Sequence, residues 1–482
     1  MKKSIKRNAV INSFRTILNL IFPLITFPYV SRVLSVEDIG AYNFSNSIIT
    51  YFLLIAALGI DKFAIREGTK YRDDREEFSR FASSIFSINV ISTMISYLLL
   101  IIILSVSRKL SYYSTCILIF SIEIFFTTLG TEWIYSIFEE YTYITVRSIV
   151  FKIISIVLLF VFVRREGDYI NYALISVVAS VGSNVLNFFH AKKFCNIKFT
   201  LNCKVKDYIK PILIIFASNV AVKIYVSADT TMLGFLSTDY TVGIYSVATK
   251  IYTIVKSVLV AILTVTIPRF SLYVGKLQKE EYNILLKKVT NTLLLAIMPS
   301  ITGLIMLRKN VIYIISSDKY LDAQYPLAIL SVALIFSVFS TLFNQCVLLP
   351  YKREKVFLKS SIISAVANVG LNFIFIPYMG ASGAAVTTLI SEFLMAFLNL
   401  MGCKDLVWKT IFNRELIKNS IWIVVGCMGI IFSCLIVKYW TRQLLLQTAF
   451  QVMVSVIVYG MMMLVSENKY VKEFMKTILR KT

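Results

Sequence analysis

The stretch 82–106, ASSIFSINVISTMISYLLLIIILSV, contains no charged side chain and lies between Arg80 on one side and Arg108 with Lys109 on the other. A hydrocarbon core about 30 Å thick takes roughly 20 predominantly apolar residues of helix, so this stretch predicts a membrane-spanning helix. Working outward, apolar runs bounded by charge or turn residues predict fourteen such spans. They are 9–30, 42–60, 82–106, 112–137, 145–163, 169–190, 211–236, 241–267, 289–307, 325–349, 356–376, 380–402, 418–437 and 444–465. The fold class expected is therefore all-α and polytopic. The composition agrees: of 482 residues 57% are apolar and 16% charged, against about 25% charged in ordinary globular domains.

The first run carries Asn12, Arg15 and Asn19 and is too long for the apolar core of a secretory signal, so it reads as a true span. The loops between spans reach only about 25 residues, which leaves little room for a soluble catalytic or binding domain. Function is expected among the helices.

Lys and Arg number 50 against 27 Asp and Glu, a net charge of +23. In a soluble protein that excess would suggest nucleic acid. Here it sorts by side: with the N-terminus inside, 35 of the 50 fall in the tails and inner loops, 10 in the outer loops and 5 within spans. That is the positive-inside bias. It predicts a multi-pass protein of the cytoplasmic membrane with both termini cytoplasmic, and it removes the case for a nucleic-acid partner. The seven cysteines show no C-x-x-C spacing; only Cys195 and Cys203 lie close together, in a basic loop expected in the reducing cytoplasm. With His190 the only histidine, neither a metal site nor a cofactor is expected.

An internal repeat is visible. Leu34-Ser35 followed by Gly40-x-Tyr42 and a span returns as Leu236-Ser237 followed by Gly243-x-Tyr245 and a span, about 203 residues later. Both copies fall on the outer side, so the repeat is parallel. It predicts two six-helix lobes, 1–203 and 204–403, with two further helices and a cytoplasmic tail in 404–482.

Ionisable and amide side chains within spans usually face protein or a water-filled cavity. On the first span Asn8, Asn12, Arg15 and Asn19 form one helical stripe, and Asn219, Lys223 and Ser227 repeat the arrangement on the seventh. Ser364, Asn368 and Asn372 add a third stripe. These residues, with Lys250, are the candidate cavity; Lys256, six positions from Lys250, falls on a different face. The alternative is that the stripes are interhelical hydrogen-bonding groups. Glu123, Asp229 and Glu392 could each neutralise a neighbouring Lys or Arg or carry a coupling proton. The excess of cations within spans favours an anionic ligand such as a diphosphate.

Specific strings then become recognisable. Glu132-Trp133 through Tyr143-Ile144-Thr145-Val146-Arg147-Ser148, and Leu58-Gly59-Ile60 with Ala64-Ile65-Arg66-Glu67, resemble capsule and O-antigen repeat-unit flippases. These form the Wzx-like branch of the multidrug/oligosaccharidyl-lipid/polysaccharide exporter superfamily. So do Leu349-Pro350 through Arg353-Glu354-Lys355, Ile376-Pro377 with Gly380-Ala381-Ser382-Gly383-Ala384-Ala385, and Asp229 with Met232-Leu233-Gly234. The resemblance implies two six-helix lobes plus two helices, and a substrate of undecaprenyl diphosphate carrying an oligosaccharide. It draws attention to Arg66, Glu67, Arg147 and Asp229. Polymerase and chain-length machinery of a polysaccharide pathway would be the partners.

The mechanism expected is alternating access, with helices thirteen and fourteen offering a groove for the lipid tail. The absence of a G-x-x-x-x-G-K-[ST] string leaves an ion gradient, the membrane potential or the substrate gradient as driving force. A drug exporter of the same superfamily is the rival within transport. A membrane glycan polymerase or glycosyltransferase is the rival enzyme, resting on the Glu37-Asp38 pair, which is more simply a helix cap.

Overall fold

The computed structural model describes residues 22–200, 205–438, 443–466 and Lys469; Asn8, Asn12, Arg15, Asn19 and Cys203 lie outside them. The described residues are helical throughout, without a strand. They pack into two compact units whose boundary falls between Gly243 and Ile244. Among the described residues eleven helices are long and apolar enough to cross a membrane, and the chain is a multi-pass membrane protein.

In the first unit, α1 (22–33) leads into α2 (Val36–Ala57) and α3 (Ile60–Gly68). Ser35 starts α2: its side chain accepts from the Asp38 amide, and Asp38 accepts from the Ser35 amide at 3.1 Å. This capping box engages the acidic pair, and Asp38 Oδ2 also accepts from the Gly167 amide. The helix stops where Leu58 and Gly59 take positive φ, 47° and 78°, and carbonyls near its end are met from α4 (Arg75–Val106). Asn89 and Ser92 of α4 both donate to the Ala56 carbonyl, at 2.8 and 2.6 Å, and Ser96 donates to that of Phe52. Small polar residues along α4 thus serve close helix packing, which is why that span reads less apolar in its first half.

The chain continues through α5 (Arg108–Tyr112), α6 (Ser114–Gly130), α7 (Glu132–Ile137), α8 (Tyr141–Phe162), α9 (Tyr169–Val181) and α10 (Asn184–Ala191). Thr131, at φ 40°, separates α6 from α7. An aromatic core of Phe63, Phe78, Phe81, Trp133 and Tyr135 ties α3, α4 and α7 together. α11 (Val205–Leu236) also belongs to this unit, as does the first turn of α12 (Asp239–Thr264).

The two copies of the repeated junction meet within the first unit, and they do so reciprocally. A Cβ on Gly40 would lie 1.9 Å from the carbonyl oxygen of Asp239; one on Gly243 would lie 2.2 Å from that of Val36. Both pairs are related by the same 203-residue offset. The caps correspond as well: Thr238 accepts from the Thr241 amide just as Ser35 accepts from that of Asp38. Only glycine permits the two backbones to come this close.

The second unit holds the rest of α12, then α13 (Ile267–Gly275), α14 (Lys279–Ile315), α15 (Gln324–Leu342) and a π-helical turn, Phe343–Leu348. Next comes α16 (Glu354–Gly402). At 1.5 Å per residue it would be more than 70 Å long, over twice the hydrocarbon thickness. It is two helices in fact: Gly380 takes φ 53° and ψ −127° just after Pro377, and the chain turns there. The return is tight, since a Cβ on Gly383 would lie 2.3 Å from the carbonyl oxygen of Phe375. The last described helices are α17 (Lys404–Ile411), α18 (Arg414–Val437) and α19 (Leu444–Val465).

Arg353, just before α16, forks onto Asp405 of α17, with its two terminal nitrogens 2.7 and 2.6 Å from the carboxylate oxygens. The guanidinium holds the Asp405 carboxyl below the usual carboxylate range. A depressed folded-state value contributes stability above the ordinary aspartate range and loses it as pH falls through the folded value. Asp405→Asn should therefore flatten a small acid-side loss of thermal stability. The effect should shrink in high salt, because the pair is exposed.

Candidate functional site

The stripe expected on the seventh span, Asn219, Lys223 and Ser227, falls on α11. Asn219 and Lys223 are half-buried, and Lys62 of α3 donates to Asn219 Oδ1 at 3.0 Å. Lys62 lies only four residues beyond the Leu58–Gly59 break, so that break sets the direction of α3 and brings a second cation to the same stripe. Asp229, two turns further along α11, is buried. Nearby, Thr231 reaches Ser47 Oγ and Tyr51 Oη of α2, at 3.0 and 3.3 Å.

The positions flagged near the ends of spans fall into two groups. Arg66 and Glu67 are joined at 3.1 Å, and Glu67 also accepts from Lys70, in an exposed cluster on α3. Arg147 is different: it is 6% exposed and bonds Glu132 Oε1 at 2.9 Å. Its guanidinium lies over the Tyr143 ring, which stacks on His190 with centroids 4.0 Å apart. This explains the lone histidine without a metal, and among the described residues no group of metal-ligating side chains occurs. Cys195, in the loop beyond α10, is buried, and that burial pushes its thiol up to about 12. It is a packing residue.

In the second unit Glu392 is buried on the far half of α16. Its Oε1 accepts from Ser337 Oγ at 2.9 Å, Tyr252 Oη at 3.2 Å and Lys256 Nζ at 3.3 Å. Lys250 lies on another face of α12, half-buried. Asn368 and Asn372 are fully buried: Asn372 donates to Asn368 at 3.2 Å and accepts from Thr387 at 2.5 Å. That network joins the two halves of α16 across the Gly380 turn.

Two features escaped the sequence reading. Lys62 falls just beyond the second predicted span, 42–60, where a lysine carries no signal of its own. The second is a polar file along α9 and α10, formed by Tyr172, Ser176, Ser180, Asn184 and Asn187. Its spacing of four, four, four and three marks a single helical face, so the signal was present in the sequence. Ser176 accepts from Tyr42 Oη at 2.9 Å, and Ser180 donates to Glu123 Oε1 at 2.5 Å. Asn184 donates to the Phe126 carbonyl at 3.0 Å.

The long apolar helices, with charged and amide side chains among them, define a multi-pass membrane protein. By its sequence it belongs to the polysaccharide biosynthesis protein family, whose profile matches residues 5–274. The likeness to Wzx-like flippases of the exporter superfamily is borne out by its relatives. A protein of Escherichia coli K12 named as a candidate O-antigen transporter is 25% identical over 411 residues, 83% of this chain and 97% of its own. A capsular polysaccharide biosynthesis protein of Staphylococcus aureus is 24% identical over 390 residues, 78% of this chain and 93% of its own. Among solved structures, the lipid II flippase MurJ in an inward closed conformation shares the fold, with a TM-score of 0.74 and 18% identity. That match covers 96% of this chain and 99% of that one.

Proposed function

We propose that this protein is a flippase that moves undecaprenyl-diphosphate-linked oligosaccharides from the inner to the outer leaflet of the cytoplasmic membrane. The observation that carries the reading is the cationic stripe of Lys62, Asn219 and Lys223. Lys223 is half-buried within the seventh span, where an amine is costly unless it faces water or an anion, Lys62 is exposed beside it, and a diphosphate supplies charge-assisted acceptors. The family and the names of the relatives support polysaccharide precursors as the cargo class.

Fourteen spans fit this reading. The eleven long apolar helices become twelve when α16 is divided at Gly380, thirteen with the shorter apolar α6, and fourteen with α1. The repeat supports lobes of 1–203 and 204–403, followed by 404–482 with both termini cytoplasmic. Transport runs by alternating access of the two lobes. The lipid tail lies against the last two helices, where α14, α18 and α19 line an apolar cavity of about 440 Å³. Its walls include Leu295, Pro299, Gly303, Leu307, Ile430 and Tyr459.

Lys223→Ala should lower translocation of a fluorescent lipid-linked glycan in proteoliposomes about tenfold, as expected for loss of one charge-assisted contact. Lys223→Arg should retain most of it. Unchanged rates in Lys223→Ala, Lys62→Ala and the double variant would sink the cationic assignment. Deletion of the gene should leave complete repeat units on the cytoplasmic leaflet; units exposed outside but unpolymerised would point to a polymerase.

A further inference from the structure

Four acidic side chains sit within the spans, and the structure separates them; Glu132 is paired with Arg147. Glu392 has Lys256 as its counter-charge, and Asp229 is engaged in the packing of α11. Glu123, at the middle of α6, has no cationic partner among the described residues; its bond is to the neutral hydroxyl of Ser180. The helices packed against α6 are α2, α4, α5, α9 and α10. Their charged groups stand at helix ends. These are Glu37 and Asp38 on α2, Arg75, Glu76, Glu77 and Arg80 on α4, and Arg108 and Lys109 on α5, with His190 at the end of α10. At the level of Glu123 the titratable neighbours are Tyr42 and Tyr172, stacked at 4.3 Å, and tyrosine is neutral near pH 7.

A carboxylate at this depth without a counter-ion is stable only when it meets water or takes up a cation. One hydroxyl ligand is too few for a metal ion, which requires several oxygens; a proton requires one. Polar side chains also lead from Glu123 toward the Glu132 end of the unit. The polar file continues from Ser180 to Asn184 and Asn187, toward Thr131 and Arg147. In this region Asn184 Oδ1, both amide atoms of Asn187, Thr131 Oγ1, and Arg147 Nε and Nη1 are buried without a protein partner. Buried polar atoms of this kind are satisfied by ordered water. Asp61, Asn89, Thr127, Thr128 and Thr131 line an adjacent cavity of about 10 Å³, room for about one water.

We propose that Glu123 is a proton-binding site of the first unit, reached along the α9–α10 polar file and used to couple translocation to a proton gradient. The coupling clause rests on the transport reading above. Binding is a simple protonation: the carboxylate takes a proton from water of the file and returns it as the carboxyl ionises. Ser180 donates to the charged form and so positions it.

The test is infrared difference spectroscopy of the full-length protein in nanodiscs, titrated between about pH 5 and pH 9 with potassium as the only added cation. The expected result is a protonated-carboxyl band that titrates in the wild type, is missing in Glu123→Gln and is shifted in Ser180→Ala. Because Ser180→Ala removes only one hydroxyl, it keeps the test informative should Glu123→Gln fold poorly. The same titrating band in Glu123→Gln would overturn the proposal. So would a band that responds to added sodium rather than to pH. The readout needs no cargo: a wild type that titrates at Glu123 yet moves no glycan lipid would refute the flippase reading and leave the proton site standing.

Discussion

Gly40→Ala and Gly243→Ala should each destabilise the purified protein by about 3 kcal/mol, the upper end of what overpacking costs, and lower its thermal midpoint accordingly. The added methyl would stand 1.9 Å from a backbone carbonyl oxygen in the first case and 2.2 Å in the second. A flexible side chain could rotate away from such an intrusion; a helix backbone must move as a body. Because the two contacts are reciprocal across one crossing, the first substitution already opens the gap that the second needs. The double variant should therefore cost less than the sum, and strict additivity would show that the contacts are independent. Gly303→Ala is the control. No atom lies within 4 Å of its added Cβ, so it should be neutral or slightly stabilising, as alanine favours a helix.

The second large effect is expected at Lys256. Glu392 is buried, with a side chain 7% exposed, while that of Lys256 is 30% exposed. Removing the amine leaves the carboxylate with only Tyr252 and Ser337 as neutral donors. Breaking a buried pair from one side costs about 3 kcal/mol or more, so Lys256→Ala should lose that much stability. Adding Glu392→Gln should restore most of it, because an amide has no charge to compensate. Thermal midpoints of the two single variants and the double form the cycle. A Lys256→Ala protein as stable as the wild type would show that the ion pair contributes nothing to holding α12 on α16.

Much of the architecture was legible because hydropathy, charge and chain length constrain a membrane protein severely. The stretch 82–106 could be little other than a span, and the pair 356–376 and 380–402 was separable at Pro377 and Gly380, where the chain turns. The capping role of Asp38 was readable too, from an acidic residue in the first turn after Ser35. Residue roles were less legible. Asn368, Asn372 and Lys223 look alike as polar positions on apolar helices, yet the first two hydrogen-bond inside α16 while Lys223 stays half-exposed.

Sequence by itself determined an all-helical multi-pass membrane protein, a repeated junction and the family to which it belongs, since each follows from periodicity or a local string. Tertiary structure alone decided which carboxylate is paired, that Lys62 joins the stripe of α11, and that Gly40 and Gly243 face each other's carbonyls. The reason is physical. Span positions depend on the free energy of placing one segment in lipid, whereas counter-charges and close approaches depend on which helices become neighbours, and the separation between those neighbours in sequence exceeds any local pattern.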